Sequence, residues 1–92
     1  MLTQEKLNQL LAIATHEIDN YNPILQPDEG LLVMAELYFN RAEIYVASKE
    51  YKKALQDYNF TIDYDAYFIA AFEGRDLVET ILWEQEEKNR VK

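Results

Sequence analysis

Residues 31–47 read LLVMAELYFNRAEIYVA, and thirteen of these seventeen are apolar or aromatic. Only Glu36, Asn40, Arg41 and Glu43 interrupt the run. It is too long for one buried strand and holds neither Gly nor Pro, so it reads as a helix. A helix that is apolar on nearly every side must be packed by other elements, which makes this the central helix of the fold. Three charges within seventeen residues argue against a membrane span.

The rest of the chain supplies partners for it. Ninety-two residues with no Cys make one small domain without disulfides or thiolate metal sites. Two Gly and two Pro leave little room for β-turns, so the fold class is all-α. The N-terminus carries charges ahead of a broken apolar pattern, unlike a secretory signal, and a cytoplasmic location is expected. Seventeen acidic against nine basic residues give a net charge of −8, and no segment is basic. That balance argues against nucleic acid or an anionic membrane as partner.

Before the central helix, residues 2–21 carry apolar side chains at Leu7, Leu10, Leu11, Ala14, Ile18 and Tyr21, a single stripe at steps of three and four. Thr3 is the expected N-cap, and Gln4, Asn8, Thr15 and Asp19 form the polar face. Asn22-Pro23 ends that helix, and Pro27-Asp28-Glu29-Gly30 opens the next. The short connection predicts antiparallel neighbours.

After the central helix, Lys49-Glu50 makes a tight corner without Gly. A third helix over 51–64 buries Tyr51, Ala54, Leu55, Tyr58, Thr61 and Ile62, with Asp57 and Asn59 facing out. A fourth helix over 66–90 has Phe68, Ile69, Phe72, Leu77, Val78, Ile81 and Leu82 on its buried side. Gly74 inside it costs about 1 kcal/mol relative to Ala, so a close helix–helix contact is expected there. Its polar end is expected to fray. The architecture is therefore an antiparallel array of about four helices.

An internal echo links the second and fourth helices. Tyr38-Phe39-Asn40-Arg41 and Phe72-Glu73-Gly74-Arg75 stand thirty-four residues apart, as do Ile44 and Val78. Within 35–68, Tyr38, Arg41, Ala42, Tyr45, Ala54, Tyr58 and Ala66 keep the spacing of the tetratricopeptide repeat, which this segment resembles. The resemblance implies one αα-hairpin in which small Ala42 and Ala54 allow close approach and Tyr58 wedges between successive hairpins. The flanks depart from the pattern: Asp76 and Glu79 stand where a small residue and a Tyr are usual, so the fourth helix resembles a capping helix.

No catalytic constellation emerges, and the chain reads as non-enzymatic with no cofactor. His16 is the single histidine and Ser48 the single serine, and His16 lacks the companions of a helical metal site. Asp63 and Asp65 lack the Gly and Glu of a calcium loop. A hydrolase built on Glu43 and Glu73 is the weakest alternative. The resemblance implies instead a groove for a protein or peptide segment, lined by Glu36, Phe39, Asn40 and Glu43, with Glu73 added from the fourth helix; Phe39 is either an exposed anchor of that groove or covered by the first or fourth helix. Carboxylates around an aromatic ring suit a segment carrying Lys or Arg beside an apolar anchor. A second reading is self-association as a homodimer through the fourth helix, where Leu77, Ile81, Leu82 and Trp83 lack a guaranteed cover.

Overall fold

The computed structural model describes residues 2–22 and 29–90. Among them four α-helices follow one another: α1 (Gln4–Asn20), α2 (Gly30–Ala47), α3 (Tyr51–Tyr64) and α4 (Ile69–Arg90). The packed pairs are consecutive, α1 on α2, α2 on α3 and α3 on α4. Side-chain pairings run in descending order across each contact, on α3–α4 from Lys52 and Leu55 beside Leu82 and Gln85 to Tyr58 beside Gly74, which makes neighbours antiparallel. Thr15 and Asp19 of α1 face Arg41 and Tyr38 of α2. Tyr38, Arg41 and Tyr45 of α2 meet Tyr64, Asp57 and Lys53 of α3. Tyr58 of α3 meets Gly74 of α4. The chain is an all-α helical hairpin array.

Local chemistry sets the helix ends. Thr3 caps α1, its side-chain oxygen accepting from the Lys6 amide at 3.1 Å. At the N-terminus of α2 the expected opening by Pro27 and Asp28 lies outside the described residues, and Glu29 occupies the cap position without a side-chain cap bond. The α2–α3 corner is a Schellman turn: the Glu50 amide donates to the Tyr45 carbonyl at 2.9 Å and the Lys49 amide to that of Val46 at 3.0 Å. This places Lys49 at φ 60°, the left-handed region that glycine fills most easily. Lys49→Gly is expected to raise stability by about 0.5–1 kcal/mol, visible as a later urea midpoint. Asp65 ends α3, and its carboxylate accepts from the Tyr67 amide at 3.0 Å, turning the chain into α4. That turn delays α4 to Ile69, three residues later than its apolar pattern suggests. At the other end, Lys88 and Arg90 complement the helix dipole.

The core is small residues packed around one large ring. Ala42, Ala54, Ala71 and Val78 are fully buried with Tyr58, and Phe39, Tyr45, Val46, Leu55, Phe68 and Leu82 pack against them. Ala42 and Ala54 let α2 and α3 approach closely. On α1, Leu7, Ala14 and Ile18 are buried, as their spacing predicts.

Four expectations are corrected. Asp57, expected to face out, is 1% exposed because it pairs with Arg41. Thr15, placed on the polar face of α1, is half-buried and accepts from the same arginine. Ile69 and Leu77, expected on the buried side of α4, are exposed, since α4 turns Ala71, Gly74 and Val78 towards α3 instead. Among the described residues the central helix is packed by α1 and α3, and Leu31 and Leu32 remain more than half exposed rather than covered.

Candidate partner-binding surface

Arg41 is the tie that orients α2. Its Nε and Nη2 fork onto Asp57 Oδ2 and Oδ1 at 2.7 and 2.9 Å, while Nη1 donates to Thr15 Oγ1 at 3.2 Å. One guanidinium therefore joins α1, α2 and α3, lodged between the Tyr38 and Tyr45 rings at 5.6 and 5.7 Å. The hydrogen bond to Asp57 raises the Arg41 pKa further, against the opposing effect of burial. With this face of α2 engaged, another face points to water.

That outer face holds Leu32, Glu36, Asn40, Glu43 and Ala47, all exposed and spaced by four, four, three and four residues. Such spacing draws one line along a helix. Among the expected contact residues, Glu36, Asn40 and Glu43 share this line. Phe39 sits at its edge, half-buried, its ring tilted against Phe68 at 4.8 Å and Tyr58 at 5.9 Å. It is part of the packing and offers only one side to the surface. Glu73 is exposed on α4, one residue before the glycine that backs Tyr58.

Tyr58 connects these pieces. Its ring lies so close to Gly74 that a Cβ there would fall 2.6 Å from Cε1 and 2.7 Å from Oη. The Glu43 carboxylate lies near enough to its hydroxyl to act on it electrostatically. Burial first, then the charge and hydrogen bonding of Glu43, push the Tyr58 pKa well above its ordinary 10.0. A proton is thus held longer in the folded than in the unfolded chain. The corresponding stability is fully present below about pH 10 and is lost as pH rises beyond it. Tyr58→Phe is expected to flatten that alkaline decline, read as urea midpoints at about pH 8 and about pH 11.

Sequence spacing alone does not indicate the Glu43–Tyr58 link, because the two residues belong to different helices. Leu32 was within reach, standing one turn before Glu36. His16 lies on the exposed face of α1, its Nδ1 3.1 Å from Asn20 Nδ2. Among the described residues no three His, Cys, Asp or Glu side chains group as a metal site, and no helix is long and apolar enough to cross a membrane. Compared with protein-family models, with curated proteins and with solved structures, the chain matches none.

Proposed function

We propose that this chain is a non-enzymatic interaction module of tetratricopeptide type, which holds a protein or peptide segment along the outer line of α2. The observation that carries this reading is that line itself: Leu32, Glu36, Asn40, Glu43 and Ala47 stay open on a helix packed by both α1 and α3. Two carboxylates and an amide beside apolar Leu32 and the rim of Phe39 suit an extended or helical segment with Lys or Arg next to an apolar side chain. Charge then governs the association rate and the apolar contact the residence time. Tyr58 and Phe68 hold Phe39 in place, which lowers the entropy lost on binding.

A displayed random-peptide library selected on the chain tests this. Enriched clones are expected to carry Lys or Arg beside an apolar residue and to lose binding to Glu36→Arg/Asn40→Arg, two exposed positions that leave the core intact. Clones that bind this variant as well as the parent, or no enrichment, would overturn the reading. The exposure of Ile69, Leu77 and Trp83 admits a second reading, a homodimer joined through α4, which the carboxylates on the same face disfavour. Light scattering over about a hundredfold concentration range decides that one, since a dimer dissociates on dilution.

A further inference from the structure

The side of α4 turned away from α3 carries a second open line. Ile69, Glu73, Asp76, Thr80, Trp83 and Glu87 follow one another at steps of four and three, with Leu77 beside them. Ile69 is 70% exposed, Leu77 58% and Trp83 62%. Asp76, Glu79, Thr80 and Trp83 line a shallow depression on this face. Large apolar side chains at such exposure, rimmed by charge, are the surface signature of a docking site.

The charge around them selects the occupant. Glu73, Asp76, Glu79 and Glu84 surround the apolar residues. Arg75 pairs with Glu79 at 3.7 Å while lying 5.0 Å over the Phe72 ring and 3.3 Å from Asn59, so it offsets Glu79 and leaves the charge of Glu73 and Asp76 for a partner. Arg90 pairs with Glu87 at 3.3 Å. A second copy of this chain would bring the same carboxylates against these, and like charges in an interface are repulsive. Phosphate-rich surfaces are repelled for the same reason. A basic partner meets complementary charge, and one that is helical presents its side chains at the spacing of α4 itself.

We propose that this face of α4 docks a basic amphipathic helix, with an apolar side chain of the partner seated beside Trp83 and its Lys or Arg residues on Asp76 and Glu73. The surface is separate from the outer line of α2 and does not depend on the reading given to that line.

Trp83 is the single tryptophan, so its emission reports the site. The probe is a synthetic peptide of leucine and lysine alone, with its leucines at helical spacing. Adding it should shift the Trp83 emission to the blue in a saturable manner. Anisotropy of the labelled peptide should show binding weakened about tenfold or more by Trp83→Ala and by Glu73→Gln/Asp76→Asn. All three positions are exposed, and circular dichroism checks that the variants keep their helix content. Glu5→Gln/Glu17→Gln, two exposed acids of α1 that belong to neither line, should leave the affinity unchanged. An unmoved emission, equal affinity for Trp83→Ala, or equal weakening by the α1 variant would overturn the proposal. So would a blue shift that grows with protein concentration alone, which identifies a second copy as the occupant.

Discussion

Asp57→Ala is expected to destabilise the fold by about 3–5 kcal/mol, because it strips the partner from a desolvated guanidinium. The side chain of Asp57 is 2% exposed and that of Arg41 16%, so little water is at hand to replace the carboxylate. Thr15 offers Arg41 one neutral acceptor and no charge. The loss is a large part of what a small domain has in total. Thermal unfolding should move down by more than about 10 °C. The double variant Arg41→Met/Asp57→Leu leaves no orphaned charge, and should recover much of the loss. If Asp57→Ala alone proves neutral, the ion pair is not what holds α1 and α3 on α2.

Tyr58→Ala is expected to cost a similar amount, about 3–5 kcal/mol, by emptying the centre of the core. The ring is 2% exposed and packs on Phe39 and on the backbone of α4 at Gly74. Filling the space from the other side is also costly. Gly74→Ala improves intrinsic helix propensity by about 1 kcal/mol, yet its Cβ would collide with a ring that has no free direction to retreat. A net cost of about 1–3 kcal/mol is expected. The two changes must couple: in the Tyr58→Ala background the clash is gone, and Gly74→Ala should become neutral or stabilising. Urea midpoints for the four proteins form a double-mutant cycle. Additive effects would mean that α3 and α4 do not meet at this contact.

Cationic partners, if bound along α2, meet a carboxylate that is already in use. Glu43 acts on the buried Tyr58 hydroxyl, so attraction of a partner at that end of the line competes with an interaction inside the fold. Of Glu36 and Glu43, Glu36 should contribute more to the salt dependence of association.

Periodicity in the chain determined most of the architecture. Apolar steps of three and four residues on α1, an unbroken apolar run on α2, and small residues at Ala42 and Ala54 are local facts that force amphipathic helices and a close hairpin. Net charge is likewise a sum over residues and needs no structure. The glycine at 74 announced a close approach because it is unfavourable in a helix unless something occupies the place of its side chain. Tertiary structure alone decided the rest. A carboxylate such as Asp57 is polar in every local pattern, and only a guanidinium sixteen residues earlier in the chain makes its burial tolerable. Exposure of Ile69 and Leu77 follows from the rotation of α4 about its axis, set where Tyr58 meets Gly74 and invisible to a period that only says which residues share a face. Phe39 is the same case on the candidate surface. Its spacing put it on the same stripe of α2 as Glu36 and Asn40, and the rings of Tyr58 from α3 and Phe68 from the α3–α4 turn drew it half into the core.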